Sequence, residues 1–301
     1  MLESPMRIGL FAIAGMARLD DLIDEVRRAR DAGLDSVFFG HATSWDALMT
    51  AALAGREVPG IEVGTAVVPT FPRHPLALAG QALTAQAMAG GRFTLGIGPS
   101  HPQVIEGAHG LSYGRPARHV REYLAALRPL LRGEDVDHHG ETLTAVGAVD
   151  APGVTAPPVL LSALGPVMLR IAGELADGTV TTWTRADAVA DHIVPSITKA
   201  AEAAGRPAPR VLAGAVVALT TDPDGVRRDL AEQFGPASDF PAYRAILDRQ
   251  GLSGVHETVI AGDEEAVARE LRRFADAGAT DLLISPRGDI ARILELAASL
   301  R

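Results

Sequence analysis

Residues 7–39 show the pattern that decides the fold, beginning with the apolar run Arg7-Ile8-Gly9-Leu10-Phe11, which has the length of a strand. Four apolar residues then recur at the spacing of one helix face: Leu19, Leu22, Ile23 and Val26. Gly33 is suited to end that helix, and a second apolar run, Ser36-Val37-Phe38-Phe39, follows at once. A strand, a helix and a further strand in this order predict two parallel strands joined by a helical crossover.

The same alternation continues to the end of the chain. Helical stretches separate nearly all of the apolar runs that we predict as strands, at residues 7–11, 36–39, 62–68, 93–97, 159–161, 179–182, 211–219 and 282–284. Eight such units in 301 residues predict a (β/α)8 TIM barrel with loop insertions, formed by residues 1–301 as a single domain. A doubly wound open sheet is the structural alternative. The additional length falls in two long loops, residues 98–115 and 133–157.

Composition and charge exclude several classes of protein. The chain has no cysteine, so disulfides, cysteine-ligated metals and thiol catalysis are excluded. Its net charge of −9 argues against nucleic acid or an anionic membrane as the main partner. The nine histidines show no metal-ligand spacing, which predicts that no metal is bound. The sequence shows neither a targeting segment nor a membrane-spanning stretch, and we therefore expect a cytoplasmic protein.

The active site of such a barrel lies at the carboxyl ends of the strands, which draws attention to the residues that follow each one. His41 comes directly after the second predicted strand and Gly40, where it could act as a general acid or base near neutral pH. A hydrogen-bonded loop histidine is the alternative interpretation. We expect a structural role for His74 at a helix start, and a solvated turn at His138 and His139.

Two further strand ends carry small residues. Gly96-Ile97-Gly98-Pro99-Ser100-His101 departs from the dinucleotide-binding fingerprint, because a histidine stands at the third glycine position and a proline interrupts the turn. The segment indicates either a close approach of the backbone to a ligand or only a tight turn. Ser162-Ala163-Leu164-Gly165-Pro166 ends a strand and opens a helix whose free amides favour an anion. An ordinary capped helix is the alternative.

Five short blocks spread over nearly the whole chain are informative as a set. They are TAVVP at 65–69, RHP at 73–75, GGRFTLGIG at 90–98, AGELADG at 172–178 and FADAGA at 274–279. In this order and spacing they resemble the luciferase-like monooxygenase superfamily, and the series is more specific than any one block. Within that superfamily the chain looks most like the branch that uses coenzyme F420, an 8-hydroxy-5-deazaflavin.

The resemblance implies roles for individual residues. In that branch a histidine after the second strand, matched here by His41, lies near the reactive carbon of the deazaflavin, and Gly40 replaces the aspartate that usually precedes it. A non-prolyl cis peptide that backs the ring is expected at Ala66–Val67. The other implied coenzyme contacts are Gly98, Pro99, Ser100 and His101 in the lining loop, Ser162, Ala163, Leu164 and Gly165 at the tail phosphate, and Thr182 beside the tail.

The function implied by the resemblance is hydride transfer between coenzyme F420 and a small organic substrate, with His41 protonating the substrate or stabilising the anionic deazaflavin. An FMN-dependent monooxygenase is the first alternative, and a non-catalytic deazaflavin-binding protein is the second. The resemblance also implies a homodimer. Four aromatic residues are candidates for an apolar wall above the ring or, equally, for ordinary packing: Trp45, Phe71, Tyr113 and Trp183.

Overall fold

The computed structural model describes residues 5–13, 17–41 and 44–300. Its strands are β1 Arg7–Ile13, β2 Ser36–Gly40, β3 Glu62–Thr65, β4 Val68–Pro69, β5 Phe93–Gly98, β6 Val136–His139, β7 Thr144–Gly147, β8 Val159–Ser162, β9 Gly178–Thr181, β10 Arg210–Leu219, β11 Ile260–Gly262 and β12 Asp281–Arg287. Its α-helices are α1 Leu19–Asp31, α2 Ala47–Glu57, α3 Pro75–Met88, α4 Pro102–Ile105, α5 Pro116–Leu131, α6 Pro166–Leu175, α7 Ala186–Ala188, α8 Val194–Ala203, α9 Pro223–Phe234, α10 Pro241–Arg249, α11 Glu264–Asp276 and α12 Ile290–Ala298. Within the described ranges, none of the helices combines the length and apolarity that crossing a membrane requires.

Eight of these strands pair in parallel around a closed barrel: β1, β2, β3, β5, β8, β9, β10 and β12. Leu10 of β1 pairs with Val37 of β2 on one side and with Ile284 of β12 on the other. Strand β12 pairs in turn with β10, and β10 with β9, which completes the circle. Closure confirms the predicted (β/α)8 TIM barrel and excludes the open sheet. Buried side chains from five strands fill its interior: Phe38, Leu160, Val180, Leu212 and Leu283.

The two long loops contain structure of their own. Residues 98–115 include helix α4, and residues 133–157 include the antiparallel hairpin of β6 and β7. His138 and His139 therefore lie in a strand, and the prediction of a solvated turn is wrong for them. The reason is that this hairpin is largely exposed, so it lacks the apolar run that marks a barrel strand.

His74 has the structural role that its position predicts. Its Nδ1 accepts a hydrogen bond of 3.3 Å from the Leu76 amide in the first turn of α3. Its Nε2 is 2.7 Å from the Thr144 carbonyl oxygen of β7 and donates to it. His74 thus caps a barrel helix and fastens the hairpin to the loop that precedes that helix.

Charged side chains close the amino-terminal end of the barrel. Arg210 at the start of β10 lies between two carboxylates, with Nη1 2.7 Å from Glu62 Oε1 and Nη2 2.6 Å from Asp281 Oδ1. Arg7 also binds Glu62, and Thr94 donates a hydrogen bond of 2.6 Å to the same carboxylate. Burial acts to raise the pKa of Glu62, but Arg210, Arg7 and Thr94 outweigh it and lower that pKa. This network stabilises the end of the barrel opposite the one where a site is expected.

Candidate active site

His41 lies at the carboxyl end of β2, as the sequence predicts. Its side chain is 17% exposed, and its Nδ1 accepts a hydrogen bond of 3.3 Å from the Ala47 amide at the start of α2. Gly40 lies against Phe11, since a Cβ at Gly40 would be 2.9 Å from the end of that ring. This contact disfavours at position 40 the aspartate that the coenzyme F420 branch usually carries.

An ion pair that the sequence interpretation missed lies beside His41. Asp46 caps helix α2, and its Oδ2 is 2.5 Å from Arg73 Nη2 and 4.0 Å from His41 Nδ1. Burial acts to raise the pKa of Asp46, but the Met49 amide and Arg73 outweigh it and lower that pKa. Burial lowers the pKa of His41, Arg73 lowers it further, and Asp46 opposes this. The balance of these effects favours the neutral form of the His41 ring.

The third barrel strand is interrupted next to His41. The peptide bond between Ala66 and Val67 is cis, as the resemblance predicts, and it separates β3 from β4. The Ala66 amide donates 2.8 Å to the carbonyl oxygen of Phe39, which places this bulge beside the end of β2. Thr65 Oγ1 donates to the Gly96 carbonyl at 2.8 Å and accepts from the Gly96 amide at 3.0 Å. The bulge is thus held from both sides of the barrel wall.

Glycines on β5 allow close contact among three of the predicted coenzyme residues. A Cβ added at Gly98 would lie 2.1 Å from Ser162 Oγ and 2.9 Å from Val67 Cγ2. A Cβ at Gly96 would lie 1.9 Å from the Thr65 carbonyl oxygen. The structure therefore brings Val67, Gly98 and Ser162 together from three different strand ends, and only glycine fits on β5 at these points.

The loop after β5 divides its predicted residues between two environments. Ser100 has a left-handed backbone with φ of 63°, and its carbonyl oxygen accepts a hydrogen bond of 2.7 Å from the Tyr113 hydroxyl. Burial raises the pKa of Tyr113 to about 12, so this hydroxyl remains a donor. The His101 ring packs 4.5 Å from Phe240 and 4.7 Å from Tyr243, centroid to centroid, and burial lowers its pKa. Pro99 and Ser100 stay at the strand end, whereas the His101 ring belongs to an aromatic cluster.

The segment after β8 forms the start of α6, with one difference from the sequence prediction. The Ala163 amide donates to the Val180 carbonyl oxygen at 3.3 Å, because the chain is still in register with β9 there, so this amide is not free for an anion. No described residue accepts a hydrogen bond from the amides of Leu164 and Gly165. A Cβ at Gly165 would meet no atom within 4 Å, so the space beside this helix start is open. Thr182 directly follows β9.

The four aromatic candidates do not form one wall. Phe71 stacks on His119 at 3.9 Å and lies 5.1 Å from Tyr113. Trp183 belongs to a second group, 5.8 Å from the ring of Phe234. Trp45 is separate from both, 44% exposed, with Nε1 donating 2.9 Å to the Ala17 carbonyl oxygen.

No group of three or more acidic or histidine side chains within the described part of the chain is arranged to hold a metal ion.

The residues that sequence analysis missed are Asp46, Phe240 and Tyr243. The position of Asp46 directly before an apolar helix is the usual signal of a capping residue, but nothing in the sequence pairs it with Arg73.

Comparisons with known proteins identify the family to which this barrel belongs. A putative coenzyme F420-dependent oxidoreductase of Mycobacterium tuberculosis is 33% identical over 193 residues, which cover 59% of this chain and 55%, about half, of that protein. Among solved structures, the coenzyme F420-dependent tetrahydromethanopterin reductase from Methanopyrus kandleri has a TM-score of 0.84 at 20% identity and is covered over 98% of both chains. The oxygenating constituent of 3,6-diketocamphane monooxygenase from Pseudomonas putida, in complex with FMN, has a TM-score of 0.75 at 20% identity, over 98% of this chain and 97% of that one. The luciferase-like monooxygenase family matches residues 5–281, and the chain therefore belongs to that family.

Proposed function

We propose that the chain is a coenzyme F420-dependent oxidoreductase that transfers a hydride between the deazaflavin and a small organic substrate. The observation that carries this proposal is the position of His41 beside the bulge at Ala66–Val67, at the carboxyl ends of neighbouring strands. The relative from Mycobacterium tuberculosis and the reductase from Methanopyrus kandleri support the choice of coenzyme.

The residues present fit a deazaflavin coenzyme. Ala66 carries only a methyl group at the bulge and is partly exposed, and Gly98 allows the side chains of Val67 and Ser162 to pack closely against β5 beside it. The amides of Leu164 and Gly165 open onto free space at the amino-terminal end of a helix, where a phosphate is favoured. Ser162 and Thr182 at the adjacent strand ends would contact the tail. When bound, the deazaflavin supplies the acceptor or donor of the hydride.

His41 would serve this reaction as a hydrogen-bond donor. With Nδ1 occupied by the Ala47 amide, Nε2 is the nitrogen that remains for a ligand. An N–H at this position stabilises negative charge that develops on the substrate oxygen or on the deazaflavin. Aromatic rings from the segments after β5, β9 and β10 pack on one another at the same end of the barrel, and an apolar organic substrate would suit a site beside them.

Two alternatives remain to be tested against this proposal. The FMN complex of a structural neighbour favours an FMN-dependent monooxygenase, since the same fold holds FMN there. A non-catalytic deazaflavin-binding protein would have no use for a hydrogen-bond donor such as His41 next to the ring, which argues against it.

Titration of the purified protein with coenzyme F420 and, separately, with FMN tests the proposal. We expect tight binding of coenzyme F420 only, together with a change in its absorbance at the hydride-transfer wavelength when a panel of alcohols, aldehydes and enones is added. Tight binding of FMN with oxygen-dependent substrate oxidation would support the monooxygenase instead. Binding of coenzyme F420 without turnover on any substrate would support the binding protein.

We also propose that the chain forms a homodimer, as the family resemblance implies, and that it is located in the cytoplasm. Sedimentation velocity tests the first part, because a dimer has twice the mass of the 31.4 kDa chain. Fractionation of cells that express the tagged protein tests the second.

A further inference from the structure

One ring nitrogen of His41 is fixed as a hydrogen-bond acceptor. The Ala47 amide, in the first residue of α2, donates to Nδ1 at 3.3 Å. A nitrogen that accepts a hydrogen bond carries no proton, so the neutral ring holds its proton on Nε2. No described residue forms a hydrogen bond with Nε2, so the Nε2–H group is left for a ligand.

The carboxylate nearest to this ring is engaged elsewhere. Asp46 Oδ1 accepts hydrogen bonds of 3.0 Å from the amides of Leu48 and Met49. Its Oδ2 accepts from Arg73 Nη2 at 2.5 Å and lies 4.0 Å from His41 Nδ1, beyond hydrogen-bond range. Arg73 and His41 therefore compete for the same oxygen atom, and Arg73 holds it.

The other charges around the ring act in the same direction as Arg73. The Arg73 side chain is only 15% exposed, so solvent screens its charge weakly. The positive amino-terminal end of α2 faces Nδ1 through the Ala47 amide. His109, in the loop after α4, also disfavours a charge on His41, and Asp46 alone among these groups favours one.

We propose that Arg73 is a positioning residue that holds His41 in its neutral Nε2–H form by occupying Asp46 Oδ2. Without Arg73, the Asp46 carboxylate is free to turn toward Nδ1, accept a hydrogen bond from the Nδ1–H of the protonated ring and so stabilise the charged form. With Arg73 in place, His41 offers a single N–H donor and does not act as a base. The consequence for the reaction rests on the proposed function, whereas the protonation state of His41 does not.

NMR titration of the imidazole ¹⁵N signals in the coenzyme-free protein tests this inference, with the His41 signal assigned by its loss in His41→Gln. We expect the Nε2–H tautomer in the unmodified chain. Arg73→Gln should raise the pKa of His41, because it removes a positive charge and frees Asp46. Asp46→Asn should lower that pKa while the asparagine still caps α2.

Two further variants serve as rescue and control. Arg73→Lys keeps the charge and should restore the titration of His41 most of the way. Arg56→Gln removes an exposed arginine from the last turn of α2, away from His41, and should leave the titration unchanged.

Three results would overturn the inference: an Nδ1–H tautomer in the unmodified chain, an unchanged or lowered pKa in Arg73→Gln, or shifts of the same sign in Arg73→Gln and Asp46→Asn. Shifts of the same sign are what a merely loosened loop would give. If Arg73→Gln does not fold, Asp46→Asn remains decisive, since an unchanged or raised pKa of His41 there overturns the inference.

The pH profile of turnover connects the inference to the reaction. The neutral fraction of a histidine falls about tenfold for each pH unit below its pKa, so the acidic limb of kcat should move to higher pH in Arg73→Gln. Correct NMR shifts in a protein without coenzyme F420 activity would refute the proposed function and leave this inference standing. An active enzyme whose Arg73→Gln variant titrates and turns over like the unmodified chain would refute this inference alone.

Discussion

At the amino-terminal end of the barrel, Arg210 is bound by Glu62 and Asp281, and both carboxylates also face Arg7. At the carboxyl end, the Nε2 of His41 and the amides of Leu164 and Gly165 have no hydrogen-bond partner among the described residues. Polar groups that are fully paired stabilise a fold but offer nothing to a ligand, whereas unpaired donors in one region are what a bound anion requires. The difference fits a barrel whose amino-terminal end is stabilised by paired charges and which, under the proposed function, binds its ligand at the carboxyl end.

The largest effect that separates the two ends is expected from His41→Ala. It removes the proposed hydrogen-bond donor, so turnover should fall by the ~10²–10³ that is typical of a lost donor to a developing negative charge. The thermal midpoint and the affinity for coenzyme F420 should change little, since His41 forms one long hydrogen bond with the protein, at 3.3 Å. Steady-state kinetics and a thermal melt measure both.

His139→Ala is the matched control, because His139 is a histidine on the exposed hairpin with a side chain that is 68% exposed. Its turnover should equal that of the unmodified enzyme. Intact turnover in His41→Ala would show that His41 has no part in the reaction. The proposal that the chemistry takes place at the carboxyl end would then lose its main support.

Arg210→Met should have the opposite effect to His41→Ala: a large loss of stability with little change in kcat. It leaves Glu62 and Asp281 buried without their main partner, and breaking a buried pair in this way costs about 3–5 kcal/mol in the free energy of unfolding. Urea denaturation measures the loss, and kcat of the remaining folded enzyme should be close to normal. Arg292→Met, which removes an exposed pair with Glu264, should shift the midpoint very little. A stable Arg210→Met variant with impaired kcat would reverse the assignment of the two ends.

A smaller effect is expected at the start of α6. Gly165→Glu places a negative charge at the proposed phosphate position, and we expect at least a tenfold loss of coenzyme affinity, or about 1.4 kcal/mol. The fold should be retained, since a Cβ at Gly165 meets no atom within 4 Å and the φ of −89° suits any residue. Fluorescence titration gives the affinity, and added salt should weaken binding only slightly because the site is local while the chain as a whole carries −9.

Gly165→Gln separates repulsion from crowding, because glutamine has the size of glutamate without its charge. We expect it to bind the coenzyme more tightly than Gly165→Glu does. Equal, unreduced affinity in both variants would mean that the tail lies elsewhere.

The barrel was predictable from sequence because its strands are buried on both faces. Residues 36–39 read as an apolar run, and the strand is Ser36–Gly40; residues 93–97 became Phe93–Gly98. The hairpin of β6 and β7 was not predictable, since a largely exposed strand pair carries no such run. The cis bond at Ala66–Val67 was located through the family register rather than through any local property of the two residues.

The site was predictable only where its residues follow strand ends. His41, Gly98 and Ser162 are such residues, and the closed barrel places them at one end. The pairing of Asp46 with Arg73 spans 27 residues, and the packing of His101 on Phe240 joins loops from distant strands. Contacts of this kind depend on how loops meet once the barrel closes, so neither periodicity nor spacing reveals them. The prediction that the Ala163 amide is free for an anion was wrong, because that amide donates one hydrogen bond to the neighbouring strand.

The last prediction concerns His119 of α5, which packs against the loop after β4, and it tests how far the region of unpaired polar groups extends. His119 is only 6% exposed, its Nε2 is 3.1 Å from Thr70 Oγ1, and its ring stacks on Phe71. Burial lowers the pKa of His119 to about 4, against 6.5 for a free histidine, with a small opposing effect from Glu122. Between these values the unfolded chain takes up a proton that the folded chain refuses, so stability falls as pH falls from about 6.5 to about 4.

His119→Phe keeps the ring stack on Phe71 but removes the titrating group, so the free energy of unfolding should depend less steeply on pH between about 6.5 and 4 than it does in the unmodified chain. Denaturant unfolding at a series of pH values measures that slope, and the difference between the two proteins isolates His119 from the carboxylates that titrate in the same range. His139→Phe, at an exposed position, should retain the full slope. An unchanged slope in His119→Phe would mean that the ring is already protonated or hydrated in the folded state. The packing around His119 would then admit water, unlike the paired charges around Arg210. The polar groups without a protein partner at the carboxyl end would include more than those proposed to contact the ligand.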